Sequence, residues 1–167
     1  MKKWSIFLGV NFILVLLDQF TKHLAKSHLM GNNDIPIIDG VFRLQYLENR
    51  GAAFGILENK IGYFIIGTLI ALGVLCYAYQ KLPDTRRYLP MKILLIFISA
   101  GAIGNFIDRL FNNYVVDFFY FELINFPIFN VADCYVTVSS VIFLVLGIFY
   151  YKDEDFEFLK WKKGISV

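Results

Sequence analysis

The stretch CYVTVSSVIFLVLGIFYY at residues 134–151 contains no charged residue. A bilayer core requires about 20 mostly apolar residues per helix, so this stretch predicts a membrane-spanning helix. Three other stretches are also long and mainly apolar. With the polar start of the last one included, the predicted spans cover residues 4–25, 61–80, 92–110 and 131–151. The sequence therefore predicts an integral membrane protein, mainly α-helical, with four transmembrane helices.

The composition agrees with a membrane protein. Of the 167 residues, 57% are hydrophobic and 18% are charged, and the mean hydropathy is +0.57. A soluble domain is roughly 45–50% apolar and about 25% charged. The net charge of +2 gives no broad basic surface, so we expect no nucleic-acid partner. The cysteines and histidines lack the spacing of a metal site, and we expect no metal and no cofactor.

The four spans predict a single membrane domain with both chain ends on one side. Ten lysines and arginines lie on that side and six on the other, which favours cytoplasmic termini. The long connection 29–60 is then an outer loop, and residues 152–167 form a cytoplasmic tail with a solvated run of charges. The basic start resembles a signal peptide, but polar residues interrupt its approach to a poor cleavage match, so we expect the first span to be retained.

Polar residues near the outer ends of the spans require an explanation, because a charge within a membrane is costly. Asp18 and Lys22 lie one helical turn apart, so their side chains can form an ion pair. This pair is either purely structural or supports an active site. In the third span, Asn105 and Arg109 share a helix face, whereas Asp108 points to a different partner. Small residues around them permit close helix packing, so an interfacial helix end is the simplest interpretation of residues 100–109.

Two more carboxylates lie after the third span, one within its connection to the fourth span and one at the start of the fourth. Asp117 is a turn residue among hydrophobic neighbours or a functional acid, and Asn130 with Asp133 is typical of a helix cap. Asp117 and Asp133 lie at similar membrane depth, and adjacent helices would bring them together. Two close carboxylates share one proton, which we expect to reside on Asp117. Such a pair can hydrolyse a peptide bond without a metal or a covalent intermediate.

Five short blocks along the chain carry a family resemblance. They are DQFTK at 18–22, NRGAAFG at 49–55, GNFIDR at 104–109, VVDF at 115–118 and FNVAD at 129–133. Each block is weak alone. In this order on a four-span chain they resemble the bacterial lipoprotein signal peptidases, or type II signal peptidases, which are intramembrane aspartic proteases.

The resemblance implies a reaction and a set of site residues. Such enzymes remove the signal peptide of a prolipoprotein, just before a cysteine that carries a diacylglyceryl group, and globomycin-type inhibitors block them. Asp117 and Asp133 fall on the catalytic pair. The implied substrate-binding and supporting residues are Asp18, Lys22, Asn49, Gly51, Asn105, Asp108, Arg109, Asn130 and Ala132.

The resemblance also implies a small extracytoplasmic β-sheet, with a strand at residues 42–49, and a short periplasmic-face helix at 53–57 that covers the site. The partial alternation of residues 41–46 independently favours a strand there. Beyond the substrates, we expect membrane lipids as partners and a monomer in a bacterial inner membrane. Cys134 departs from the family pattern, which more often has serine at that position.

Three other functions compete with this interpretation. A small ion- or proton-coupled carrier also uses intramembrane acids, although the acids here gather near one face and the spans show no repeat. A membrane phosphotransferase would need clustered acids with Mg²⁺. In a purely structural membrane protein, replacement of Asp117 would affect folding alone.

Overall fold

The computed structural model describes residues 2–51 and 60–159. Its long helices are α1 (Lys2–Leu29), α2 (Ile61–Lys81), α3 (Leu89–Asn112) and α4 (Val131–Phe149). All four are long and apolar enough to cross a membrane. The predicted class, a mainly helical membrane protein with four spanning helices, is confirmed.

A small antiparallel sheet lies at one end of the helices, with strand order β1-β2-β3. The strands are β1 (Ile35–Ile38), β2 (Phe42–Asn49) and β3 (Val115–Tyr120). The sheet and its strand at residues 42–49 confirm the prediction. The interpretation of Asp117 as a turn residue is wrong, because it lies within β3 and is buried. The expected covering helix at 53–57 lies outside the described residues.

Helix α3 is the central helix, because it packs against α1, α2 and α4. Its small residues allow this. A Cβ atom on Gly101 would meet the Ala132 carbonyl oxygen and would lie 2.7 Å from Val136 Cγ2 on α4. A Cβ atom on Gly104 would meet the Asp18 carboxylate on α1. The two glycines therefore set how closely α1 and α4 approach the middle of α3.

Alanine at either position is expected to push a neighbouring helix away. We expect Gly101→Ala and Gly104→Ala each to lower the free energy of unfolding by about 1–3 kcal/mol, measured by denaturant titration in detergent. Gly147→Ala is the matched control, since nothing lies within 4 Å of its added Cβ, and alanine favours a helix. Equal unfolding midpoints for all three variants would contradict the close packing.

The opposite end of the helices brings together the start of α1, the α2–α3 connection and the described segment that follows α4. Lys3 Nζ donates to the Leu82 carbonyl oxygen at 2.7 Å, and Tyr151 Oη donates to the Arg87 carbonyl oxygen at 3.0 Å. Asp155 accepts two hydrogen bonds of 2.5 Å from Arg87. The interpretation of the tail as a solvated charge run is therefore wrong for Asp155, because a distant cation on the α2–α3 connection binds it.

Candidate active site

Asp117 and Asp133, called the aspartate pair below, line one cavity of about 510 Å³ beside the sheet. β3 supplies Asp117, and Asp133 is the third residue of α4. The fold therefore brings to one cavity two carboxylates that are far from the chain ends and come from different elements. The cavity wall also includes Asn49, Gly51, Arg109, Phe126, Pro127, Ile128, Phe129, Cys134, Thr137 and Val138.

Asparagine amides bind both carboxylates. Asn49 Nδ2 donates to Asp117 Oδ2 at 2.9 Å, and Asn130 Nδ2 donates to Asp117 Oδ1 at 2.6 Å. Asn105 Nδ2 donates to Asp133 Oδ1 at 2.8 Å, while the Asn130 backbone N–H donates to Asp133 Oδ2 at 3.1 Å. Asn130 thus contacts both carboxylates and fixes their relative orientation.

Asn130 also caps α4. Its Oδ1 accepts the backbone N–H of Asp133 at 3.0 Å, and the reciprocal bond from its own N–H completes a capping box. The helix-cap prediction is confirmed. Asp133 lines the cavity, and Asn130 binds both carboxylates. The residues that cap α4 therefore also belong to the site.

The surroundings of Asp117 disfavour its charged form. Burial is the main cause, and the negative charge of Asp133 adds to it. Hydrogen bonds from Asn49 and Asn130 act in the opposite direction, and together these effects raise the pKa of Asp117 to about 7. A carboxyl group with this pKa is poised to hold or release a proton near neutral pH.

A buried ion cluster lies behind the aspartate pair. Lys22 Nζ is 2.9 Å from Asp18 Oδ2 and 3.0 Å from Asp108 Oδ2, and it donates to Asn105 Oδ1 at 2.9 Å. The side chains of Lys22, Asp18 and Asp108 are at most 3% exposed. The predicted contact of Asp18 with Lys22 is confirmed, and it is a buried charge pair rather than a surface one.

Each carboxylate of this cluster binds the backbone just ahead of one member of the aspartate pair. Asp18 Oδ1 accepts the N–H of Ala132 at 2.9 Å, and Asp108 Oδ2 accepts the N–H of Val116 at 3.1 Å. Because Lys22 joins the two carboxylates, one cation connects the start of α4 to β3. The cluster therefore positions both members of the aspartate pair through the main chain.

Arg109 and Gly51 form the wall of the cavity nearest β2. Arg109 Nη2 donates to the Gly51 carbonyl oxygen at 3.3 Å, and the Gly51 N–H donates to Asn49 Oδ1 at 3.0 Å. The guanidinium carbon of Arg109 lies 4.6 Å from the centre of the Phe64 ring. Asp108 instead contacts Lys22 and the Val116 N–H, so the prediction that Arg109 and Asp108 have different partners is confirmed.

The structure brings all eleven predicted site residues into the cavity wall or the network behind it. Sequence reasoning missed Gln19, whose Nε2 lies 3.2 Å from Asp18 Oδ2, 3.0 Å from Asp108 Oδ1 and 3.1 Å from the Gly104 carbonyl oxygen. A polar amide directly after Asp18, inside an apolar span, was the available signal. Cys134 is half-buried in the cavity wall.

The described residues contain no group of three or more histidine, cysteine or acidic side chains placed to hold a metal ion. What the site contains is two hydrogen-bonded carboxylates, neutral amide donors, one guanidinium and an apolar wall. This donor set can move a proton and bind peptide carbonyl groups.

The fold and site together define a four-helix membrane protein with a polar, carboxylate-bearing cavity at one end of the helices. Residues 10–149 match the family described as Signal peptidase (SPase) II, and the chain belongs to this family. It is a multi-pass membrane peptidase. This membership favours a peptidase over the ion-coupled carrier.

Individual relatives agree with the family. A lipoprotein signal peptidase of Caldanaerobacter subterraneus subsp. tengcongensis is 47% identical over 137 residues, which cover 81% of this chain and 91% of the relative. One from Streptococcus pyogenes serotype M1 is 38% identical over 156 residues, covering 93% and 99%. A solved bacterial membrane enzyme structure, determined by the in meso method at 1.9 Å resolution, superposes with a TM-score of 0.76 at 30% identity, covering 88% of this chain and 95% of that one.

Proposed function

We propose that the aspartate pair, Asp117 and Asp133, catalyses hydrolysis of the peptide bond just before a diacylglyceryl-modified cysteine. The protein removes signal peptides from prolipoproteins, in keeping with its family. The observation that carries the catalytic proposal is that both carboxylates line one cavity and bind the same residue, Asn130. The supporting roles of the other site residues belong to the same proposal.

The two carboxylates have different tasks. Asp117, whose pKa is raised to about 7, holds the shared proton and donates it to the oxygen of the scissile carbonyl. Asp133, ionised, takes a proton from a water molecule, and the resulting hydroxyl attacks the carbonyl carbon. Proton transfer from Asp133 to the amide nitrogen then accompanies cleavage of the C–N bond, and Asp117 recovers its proton from the gem-diol. Neither a metal nor a covalent intermediate is required.

The remaining cavity wall suits a lipidated peptide. Asn49 and Arg109 carry donors near the cavity that can bind substrate carbonyl groups, and Gly51 permits close approach of a peptide backbone. The lining also includes apolar residues such as Phe126 and Val138, which can contact acyl chains. We expect globomycin-type inhibitors to occupy this cavity, and we expect a monomer to be sufficient for activity.

The proposal also places the site on the outer face of a bacterial inner membrane. The aspartate pair and the sheet lie at the end of α1 that is opposite to its basic start. The excess of basic residues on the side of the termini supports cytoplasmic chain ends. A substrate whose lipid stays in the bilayer would then present its cleavage site at the membrane surface, at the depth of the cavity.

The test is cleavage of a diacylglyceryl-modified prolipoprotein by the purified protein in detergent, with EDTA present. Mass spectrometry of the products should show a break just before the lipidated cysteine, at a rate that EDTA leaves unchanged. A break at another position would contradict the proposed specificity. Loss of activity with EDTA, restored by Mg²⁺, would overturn the aspartic mechanism in favour of a metal-dependent one.

The raised pKa of Asp117 predicts the pH dependence of cleavage. If Asp117 must be protonated, kcat/KM should fall about tenfold per pH unit above about pH 7. Asn49→Ala removes a hydrogen bond that lowers this pKa, so the decline should move to higher pH. Gln45→Ala on the same strand is the control and should leave the decline in place. A wild-type rate that is constant from about pH 6 to about pH 9 would contradict the role of Asp117.

A further inference from the structure

A second cavity lies at the end of the helices opposite to the aspartate pair, between the start of α1 and the start of α3. Its volume is about 260 Å³. Apolar side chains form most of its wall, among them Ile6, Val10, Ile93 and Phe97. Lys3, Lys92 and Asp84 are its charged members. The catalytic proposal does not use this cavity.

Among the described residues, the hydrogen-bond acceptors of Lys3 are uncharged. Its Nζ donates to the carbonyl oxygens of Gln80 and Leu82, at 3.2 and 2.7 Å, and it lies 5.2 Å from the centre of the Tyr79 ring. In residues 2–51 and 60–159, no carboxylate forms an ion pair with it within 4.0 Å. These neutral contacts orient the ammonium group at the cavity without cancelling its charge.

Lys92 is the second cation, and only 9% of it is exposed. It pairs with Asp84, whose side chain is 77% exposed. The cavity therefore carries two ammonium groups and one carboxylate, which gives a net charge of +1. The compensating carboxylate is the more exposed of the two partners, so solvent screens its charge more than that of Lys92.

We propose that this cavity binds an anionic phospholipid. The phosphate would contact the ammonium groups of Lys3 and Lys92, and an acyl chain would lie against Ile6, Val10 and Ile93. Three observations favour this occupant. The wall is apolar, the cationic rim lies at the end of membrane-spanning helices, and the net charge of +1 matches one phosphodiester. Basic pockets between spanning helices bind anionic headgroups in this way, and lysine ammonium groups bind phosphate by charge-assisted hydrogen bonds.

The experiment is a thermal unfolding series on delipidated full-length protein in a neutral detergent. Phosphatidylglycerol, phosphatidylcholine and inorganic phosphate are added separately. Saturating phosphatidylglycerol should raise Tm by about 5 °C, and phosphatidylcholine should raise it by about 1 °C or less. Equal shifts with both lipids would overturn the proposal, because selectivity comes from the net charge. An equal shift with inorganic phosphate would also overturn it, since the site would then bind a free anion.

Three variants locate the effect. Lys3→Gln should lose at least about half of the phosphatidylglycerol shift by removing one contact to the phosphate. Val10→Phe should lose it by filling the cavity while leaving every charge in place. Lys2→Gln is the matched control, because Lys2 is exposed, has the same charge and does not line the cavity. Equal shifts for Lys3→Gln and Lys2→Gln would contradict the assignment. The readout is stability, so it is independent of the catalytic proposal.

Discussion

Asparagine in place of either Asp117 or Asp133 is expected to lower the rate of prolipoprotein cleavage by about 10³-fold or more. Asparagine preserves the shape of the side chain but cannot take up or release the proton that the reaction moves. The decrease in rate should appear in kcat, because both carboxylates act on the reacting atoms. Single-turnover cleavage of the lipidated substrate in detergent measures it directly.

Two controls separate loss of catalysis from loss of folding and from the change of charge itself. Each variant should keep the circular dichroism spectrum of the wild type. Asp39→Asn makes the same chemical change at an exposed residue outside the cavity and should leave the rate unchanged. A folded Asp117→Asn or Asp133→Asn protein with near-normal turnover would show that the aspartate pair is not catalytic.

Replacement of Lys22 by methionine is expected to have the largest effect on stability. Asp18 and Asp108 would be left in the protein interior without the cation that lies 2.9 and 3.0 Å from them. Removal of one partner from a buried charge pair costs about 3–5 kcal/mol. We also expect cleavage to fall, because the same two carboxylates hold the backbone N–H groups of Ala132 and Val116.

Lys26→Met is the matched control, since Lys26 lies one helical turn further along α1 and is exposed. It should change the free energy of unfolding by about 1 kcal/mol or less. In the Lys22→Met protein, a second change of Asp108 to asparagine should recover part of the lost stability by removing one unpaired charge. Equal unfolding midpoints for Lys22→Met and Lys26→Met would contradict the buried cluster.

The sequence predicted four of the main elements well because a membrane leaves few choices. Long apolar runs must be helices, since a helix satisfies its own backbone hydrogen bonds in lipid. β2 was predicted because its start partly alternates. β3 was missed because VVDF at residues 115–118 is buried throughout, and a strand buried on both sides has no alternation to reveal it.

The site was predictable only in part. Local spacing identified the pairing of Asp18 with Lys22 and the cap at the start of α4, since both depend on neighbours within one helical turn. The family resemblance supplied the list of residues but not their contacts. The hydrogen bond between Asp18 and Ala132 joins residues 114 positions apart. No local sequence pattern predicts a contact between residues so far apart in the chain. For the same reason Gln19 was missed, because its role depends on α3 lying against α1.

The most direct measurement of the aspartate pair is its protonation, followed by infrared spectroscopy as the pH is raised. The difference between the wild type and Asp117→Asn isolates the Asp117 carboxyl group from the other buried acids. We expect it to be protonated at pH 6, to lose its proton around pH 7, and to lose it at lower pH in the Asp133→Asn protein, because the charge of Asp133 raises its pKa. An Asp117 that is ionised down to about pH 4, as in a free side chain, and is unaffected by Asp133→Asn would contradict a shared proton.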